Sequence, residues 1–311
     1  MTTTTSPIVQ WDPTSLLDPS TPLPTPYVLI ILNTPLNVNS YRILRERATY
    51  IVCADGGTNR FYAVMKQLGR LDVETPDLIV GDLDSIKPEV RAHYESLGVD
   101  VQHIPEQLST DFGKALRLIN QRRSEILKRT VPEPDSDKLD VVVMGGLGGR
   151  LDQAMSQLHH LYNISRNKDK ENEYYQTGDI YLFSESSLSF FLPPGRNYIY
   201  TSPKCSIKSI TASFPSDTSP DEIEAAVTPK IEEGWSSDHP YLCEASALMP
   251  LGKPAVLTSK GFQWDVTEWE SSFEGRISTS NHLRSDVIRV DASWWVMFSA
   301  ELADRFKLWR E

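Results

Sequence analysis

The chain has 311 residues, of which 40% are hydrophobic, and it carries a formal net charge of −11 at pH 7. That length suits one large domain or two ordinary domains, each with a full apolar core. The excess of acidic residues argues against a nucleic-acid partner, so a phosphorylated ligand would need a bound cation, backbone amides or a few local basic groups.

The N-terminal segment, residues 1–26, is rich in Thr, Ser and Pro and has no apolar period, which predicts a loosely ordered arm. Its first residues lack the basic and hydrophobic parts of a secretory signal. The longest apolar run, 27–32, is too short to cross a membrane, and the three cysteines show no disulfide or metal-binding spacing. We therefore expect a cytoplasmic protein without a membrane partner.

Residues 27–170 alternate short apolar runs with stretches of helical apolar spacing. Such alternation is typical of a Rossmann-like α/β domain, with a mainly parallel sheet and helices on both of its faces. The runs that predict strands are Tyr27–Leu32, Tyr50–Ala54, Leu78–Val80, Val99–Ile104 and Leu139–Met144. The last predicted helix has an apolar face made of Leu151, Ala154, Met155, Leu158 and Tyr162.

A charged linker, 166–178, ends this pattern, and short β-type runs separated by turn signals follow it. The change predicts a second domain, an antiparallel β-sandwich over 178–311. Within that domain, residues 211–240 include an acidic stretch of low apolar content, which we interpret as an inserted surface loop.

Acidic side chains stand where the predicted strands of the first domain end. Asp55 directly follows one strand and the pair Asp82 and Asp84 follows the next, whereas Asp111 and Asp152 open helices that come after two further strands. Ligands of an open parallel sheet bind outside the carboxyl ends of its strands. We therefore expect all these carboxylates to converge on one rim.

Carboxylates brought close together repel one another, and a hard divalent cation relieves that repulsion. Ligands that are all oxygen favour Mg²⁺, whose remaining positions phosphate oxygens of a nucleoside triphosphate would fill. Asp82 and Asp84, on a turn that begins with glycine, are the pair best placed to share the ion. An isolated pair of this kind more often serves turn chemistry, but the companion acids favour the metal.

A glycine segment supplies the other half of the predicted site. Gly145, Gly146 and Gly148 permit close approach of the backbone, and amides at the start of a helix bind anions. Arg150 adds a guanidinium for a phosphate group. The segment lacks the Lys-Ser/Thr pair of a Walker A loop, and a tight turn without a ligand is the alternative interpretation.

Taken together, the motifs resemble the thiamin pyrophosphokinase family in order and spacing, over residues 27–299. The resemblance implies transfer of the pyrophosphoryl group of ATP to the hydroxyethyl group of thiamin, giving thiamin diphosphate and AMP. It also implies a homodimer with active sites between subunits, and the insertion and Pro-rich arm resemble those of fungal members. The stretches that carry the likeness are Ala54–Arg60, Gly81–Ser85, Ser109–Phe112, Gly145–Asp152, Ser259–Trp264 and Ser278–Asn281.

The resemblance further implies roles for the residues of the first domain. The five acids match the family's acidic cluster, in which Asp82, Asp84 and Asp111 would hold Mg²⁺. Asp152 would complete the metal–phosphate pocket or orient the alcohol, and the sequence leaves open which carboxylate takes the hydroxyl proton. Thr110 and Lys114 would lie at the phosphates, although a solvated helix lysine is an equal interpretation of Lys114.

Four residues match positions near thiamin in the family. The Trp264 ring would stack on the thiazolium through a cation–π attraction, although a tryptophan in a β-rich domain more often packs in the core. Ser280 and Asn281 would offer a hydroxyl and an amide to the aminopyrimidine edge, and Gln107 would lie near the same ring.

Two other functions stay open from the sequence alone. One is a related Mg²⁺-dependent nucleotide kinase or hydrolase with a different acceptor, which would not need Trp264 or the 278–281 segment. The other is a non-catalytic module that senses thiamin or a nucleotide, which would not need an intact acidic cluster.

Overall fold

The computed structural model describes residues 8–130, 136–167, 178–202, 219–232, 235 and 241–308. Its helices are α1 (Val38–Arg47), α2 (Gly57–Gln67), α3 (Pro88–Ser96), α4 (Asp111–Gln121), α5 (Arg123–Leu127), α6 (Leu151–Asn167) and α7 (Pro220–Glu232). Its strands are β1 (Ile8–Trp11), β2 (Tyr27–Ile31), β3 (Tyr50–Ala54), β4 (Leu78–Gly81), β5 (Asp100–His103), β6 (Asp140–Met144), β7 (Ile180–Phe183), β8 (Ser187–Leu192), β9 (Gly195–Tyr200), β10 (Leu242–Pro250), β11 (Ala255–Lys260), β12 (Trp269–Ser271), β13 (Ser278–His282), β14 (Val287–Ala292) and β15 (Val296–Leu302).

The chain divides into two compact units, an α/β unit built on residues 24–186 and a β unit built on 187–306 together with the N-terminal segment up to residue 23. The α/β unit has a parallel sheet in the order β7-β6-β2-β3-β4-β5. Strands β2, β3 and β6 are buried along their whole length, as expected of a sheet covered on both faces. The predicted α/β class is confirmed.

The order of the strands reverses between β2 and β6. From β2 the chain proceeds outward through β3, β4 and β5, whereas β6 and β7 lie on the opposite side of β2. Ligands of open α/β sheets bind at such a switch point, outside the carboxyl ends of the strands. The segments after β2 and after β6 therefore frame the place where a ligand is expected.

The apolar face predicted for α6 differs from the buried face in the structure. Leu151 is 76% exposed and Met155 is 57% exposed, whereas Gln157, Leu161 and Ile164 are buried. Apolar spacing shows which residues share a helix face, but it does not show which of two partly apolar faces the sheet covers. Helices α1 and α5 were not predicted, and only three residues of α1 are buried, Ser40, Tyr41 and Leu44.

The β unit consists of two sheets. One has the order β1-β9-β14-β11-β12, in which only the β1–β9 pair is parallel, and the other is the antiparallel set β13-β10-β15-β8. Trp11 of β1 lies with its ring 4.8 Å from that of Phe190 on β8, and its indole donates to Asn197 at 3.1 Å. This contact joins the two sheets, and the predicted β-rich second domain is confirmed.

Two features differ from the predicted domain limits. Part of the predicted arm is ordered, because Ile8–Trp11 forms β1 and belongs to the β unit. Strand β7, assigned above to the second domain, pairs with β6 in the parallel sheet, so the β unit begins at residue 187.

The predicted insertion contains helix α7 rather than only a loop. Ile223 and Val227 of this helix are buried against Tyr198, Tyr200 and Val287. These two apolar residues, one helical turn apart, give the helix a buried face, which the acidic composition of the stretch did not reveal. The other parts of 211–240, namely 211–218, 233–234 and 236–240, lie outside the described residues.

Among the described residues, no helix combines the length and the apolar character that crossing a membrane requires.

Candidate active site

A cavity of about 680 Å³ lies at the carboxyl ends of the parallel strands of the α/β unit. It is lined by segments that follow β2, β3, β4 and β6 and by the starts of α4 and α6. The residues predicted for the site that line it are Asp55, Asp82, Gln107, Thr110, Asp111, Gly148 and Arg150.

Three carboxylates from separate segments of the chain meet in this cavity. Asp55, Asp82 and Asp111 each offer an oxygen, and these atoms all lie within 4.8 Å of one another. Asp55 and Asp82 directly follow β3 and β4, and Asp111 is the first residue of α4. The convergence expected from the sequence thus holds for these three residues.

The backbone around the turn after β4 holds the buried Asp55. Its carboxylate accepts hydrogen bonds from the amides of Ser85 and Ile86, each at 3.2 Å. Burial raises the pKa of Asp55, the Ser85 and Ile86 hydrogen bonds oppose that shift, and the nearby charge of Asp111 adds to it.

Asp82 has a different electrostatic environment. Partial burial by itself works to raise the pKa of Asp82, but hydrogen bonds from the Asp84 amide and Gln107 and the charge of Lys114 outweigh it. Together they hold the pKa of Asp82 below its usual range. The Gln107 amide donates to the Asp82 carboxylate at 3.3 Å, so Gln107 contacts the acidic group directly.

Lys114 lies against two of these carboxylates and is only 1% exposed. Its ammonium nitrogen is 3.0 Å from an oxygen of Asp111 and 3.5 Å from an oxygen of Asp82. The solvated helix lysine considered above is therefore wrong. Three carboxylates against one ammonium leave two negative charges uncompensated within this group, and an all-oxygen donor set with that excess fits a hard divalent cation.

Two predicted acids are not part of the group. Asp84 is exposed, and its carboxylate accepts from the Ser85 hydroxyl at 2.8 Å. Asp152 is also exposed and forms a two-point ion pair with Arg150, at 3.1 and 2.6 Å. The hydrogen bond from Arg150 holds the pKa of Asp152 below its usual range. Among the described residues, Asp152 therefore pairs with Arg150, which lines the cavity, and is not part of the acidic cluster.

The glycine segment requires glycine at its first two positions. Gly145 has a φ of +92°, and a Cβ placed on it would lie 2.4 Å from the Thr34 hydroxyl. A Cβ on Gly146 would lie 2.3 Å from a methyl carbon of Leu182. These two glycines therefore set the close packing of the segment, whereas Gly148 lines the cavity.

Thr110 caps helix α4 through its hydroxyl, which accepts from the Gly113 amide at 3.1 Å. The same hydroxyl is 2.8 Å from Nε2 of His160 on α6. Burial lowers the pKa of His160, and the neighbouring His159 adds to the shift. Thr110 thus fixes the start of the helix that carries Asp111 and Lys114.

Several cavity residues were missed by the sequence analysis. Asn33 and Thr34 follow β2, so the rule that found the acids at the other strand ends would also have found them. Arg60 donates to Asn33 at 3.1 Å. Four other missed residues lie on one polar face of α6, which a pattern of apolar spacing does not reveal: Gln153, Ser156, Gln157 and His160.

In the β unit, Trp264 is 54% exposed, so its ring is not a core residue. Asn281 is buried, accepts from the amide of Trp264 at 3.2 Å and donates to its carbonyl at 3.1 Å. The Asn281 amide therefore holds the Trp264 backbone, instead of being presented to a ligand as expected. Ser280 is exposed and has a φ of 59°.

Comparison with known proteins gives the same family for both units. Residues 41–172 match the profile described as "Thiamin pyrophosphokinase, catalytic domain", and residues 242–294 match "Thiamin pyrophosphokinase, vitamin B1 binding domain". The chain is 31% identical to Thiamine pyrophosphokinase 3 of Oryza sativa subsp. japonica over 271 residues, which cover 84% of this chain and 80% of that protein.

Solved structures are similar along nearly the whole chain. The thiamin pyrophosphokinase from Candida albicans superposes with a TM-score of 0.70 at 25% identity, covering 95% of this chain and 93% of that one. The yeast thiamin pyrophosphokinase gives a TM-score of 0.71 at 20% identity, over 95% and 91% of the two chains, and adds support for the fold.

Replacing Lys114 with Met tests the electrostatic role of the buried ammonium. Because the carboxylates of Asp82 and Asp111 would lose their cation, we expect the free energy of unfolding to fall by about 2 kcal/mol. Urea denaturation of the purified variant measures it. Lys66→Met, at an exposed position of α2, is the matched control and should stay close to the parent. An equal loss in both variants would contradict the role of Lys114.

Proposed function

The chain belongs to the thiamin pyrophosphokinase family, and we propose that it transfers the pyrophosphoryl group of ATP to the hydroxyethyl group of thiamin, giving thiamin diphosphate and AMP. The observation that carries this proposal is the meeting of Asp55, Asp82 and Asp111 beside the glycine segment in one cavity. A cavity lined by acids together with Gly148 and Arg150 suits a metal-bound polyphosphate.

We propose Asp55, Asp82 and Asp111 as the residues that would hold Mg²⁺. Asp84 was also predicted for this role, but its exposed carboxylate lies outside the group. Bound Mg²⁺ would neutralise negative charge on the phosphates and so favour attack at phosphorus. Lys114 would keep two of the carboxylates in place, since its ammonium contacts both Asp82 and Asp111.

The chain's own contribution to the reaction is to position the reactants. The glycine segment and Arg150 would orient the polyphosphate. The hydroxyethyl oxygen of thiamin attacks the β-phosphorus, and the bond from that phosphorus to the oxygen of the α-phosphate breaks, so that AMP leaves. The hydroxyl proton passes to water as the new bond forms, and AMP leaves with the electron pair of the broken bond. Reactions of this class gain most from alignment and from charge neutralisation, and a strong base is not required.

We propose that Trp264 stacks on the thiazolium ring of thiamin. Its exposed ring can offer a face to a cation, and its backbone is fixed on both sides by Asn281. Ser280, exposed beside Asn281, is available to contact the pyrimidine. Gln107, whose side chain donates a hydrogen bond to Asp82, would place an amide near both the acidic group and the bound thiamin.

We further propose a homodimer whose active sites lie between subunits, in the cytoplasm. Leu108 lines the cavity, and Leu151 and Met155 lie on α6, which carries other lining residues; all three are large exposed apolar side chains. Exposed apolar groups of this size favour contact with another protein surface, which supports a second subunit at the cavity. The absence of paired cysteine spacing fits a reducing compartment.

The direct test is incubation of the purified protein with ATP, Mg²⁺ and thiamin, followed by separation of the products. We expect AMP and thiamin diphosphate in equal amounts, and no turnover without thiamin. Formation of ADP with thiamin monophosphate would overturn the proposed transfer. Hydrolysis of ATP that does not depend on thiamin would instead favour a hydrolase, and binding without turnover a sensing module.

Replacing Trp264 with Ala tests the stacking role. Because cation–π stacking contributes roughly 1–2 kcal/mol, we expect the KM for thiamin to rise about tenfold with little change in the KM for ATP. Steady-state kinetics with each substrate varied in turn measures both constants. Trp264→Phe retains an aromatic ring, so its KM for thiamin should lie between those of the parent and of Trp264→Ala. An unchanged KM for thiamin in Trp264→Ala would remove the residue from the substrate site.

A further inference from the structure

Helix α6 touches the glycine segment through one buried polar side chain, Gln157. This residue is 9% exposed, and its side-chain oxygen accepts a hydrogen bond of 2.9 Å from the amide of Leu147. Gln157 also lines the cavity, together with Gly148 and Gly149. It is therefore a direct structural link between α6 and the segment that faces the ligand.

The link is made at the one residue of the segment whose backbone is strained. Leu147 has a φ of 57°, in the left-handed region that residues with a side chain avoid. The positions of positive φ on either side of it, Gly145 at +92° and Gly149 at +74°, are glycines and adopt this conformation without penalty. A leucine in this conformation needs a compensating contact, and Gln157 provides one.

We infer that Gln157 is a positioning residue for the polyphosphate of ATP: through the Leu147 amide it holds residues 145–149 in the shape that receives the phosphates. The inference rests on the proposed function. The hydrogen bond commits the Leu147 amide to α6, so the segment is shaped by the protein before a nucleotide arrives. Pre-organisation of this kind improves affinity because binding no longer has to order the segment.

The position of the contact separates this role from a general contribution to the core. Asp55 and Asp82 follow β3 and β4, whereas the glycine segment follows β6, on the other side of β2. The hydrogen bond of Gln157 goes to the glycine segment. Loss of the hydrogen bond should therefore affect the nucleotide and leave the thiamin residues Trp264 and Ser280, in the β unit, unchanged.

Gln157→Leu removes the acceptor and keeps a side chain of similar size. We expect the KM for ATP to rise about tenfold, with the KM for thiamin unchanged within a factor of two. Asn163→Ala is the matched control on the same helix, because its amide bonds the carbonyl of His159 within α6. That control should keep both KM values.

A second substitution tests the mechanism rather than the site. Glycine adopts positive φ freely, so Leu147→Gly in the Gln157→Leu background should recover part of the lost ATP affinity. A residue that acted only through core packing would show no such rescue. Equal rises in both KM values, or an effect of Gln157→Leu that Leu147→Gly does not relieve, would overturn the inference.

Direct binding keeps this test separate from that of the proposed reaction. Calorimetric titration with ATP and Mg²⁺ in the absence of thiamin should show weaker binding by Gln157→Leu than by the parent chain, again by about tenfold. If the parent binds ATP but makes no thiamin diphosphate, the proposed reaction fails and the inference is still decided by this comparison. Equal affinities in parent and variant overturn the inference whatever the reaction.

Discussion

Mutual repulsion of three carboxylates is the constraint on which the rest of the site depends. Asp55, Asp82 and Asp111 lie within 4.8 Å of one another, and such a group is unfavourable unless the protein compensates its charge. The chain does so in part, with a buried ammonium from Lys114 and with amides from the turn after β4. The negative charge that remains makes the group receptive to a divalent cation and, with the cation, to a polyphosphate.

The topology of the sheet explains why residues far apart in sequence meet. Parallel strands end on the same edge, so the residues after β3 and β4 come together, and the reversal of strand order beside β2 opens a crevice between this acidic side and the glycine segment after β6. Gly145 packs closely against Thr34, which follows β2, and the amide of Leu147 donates a hydrogen bond to Gln157 on α6. Two separate elements of the fold thus hold the glycine segment in place.

The sequence was sufficient for features that depend on strand ends and insufficient for those that depend on side-chain direction. The runs before Asp55 and Asp82 predicted both strands and the meeting of their acids, because the ends of parallel strands share an edge. The same reasoning included Asp84 and Asp152, but the first points to solvent and the second pairs with Arg150.

The burial of Lys114 could not be predicted from the sequence either, since helical spacing does not show how deep a long side chain lies. The ordered β1 and the buried side of α7 depend on contacts with distant strands, which no local pattern contains.

The central claim is that the acidic group binds a cation shared with the polyphosphate, and metal affinity tests it most directly. Titration of Mn²⁺, as a paramagnetic substitute for Mg²⁺, into the protein with a non-hydrolysable ATP analogue gives that affinity by electron paramagnetic resonance. We expect Asp82→Asn to weaken Mn²⁺ binding at least tenfold and to lower turnover by orders of magnitude while the protein stays folded, and we expect the exposed control Asp72→Asn to match the parent. Parent-like Mn²⁺ affinity and turnover in Asp82→Asn would contradict the account.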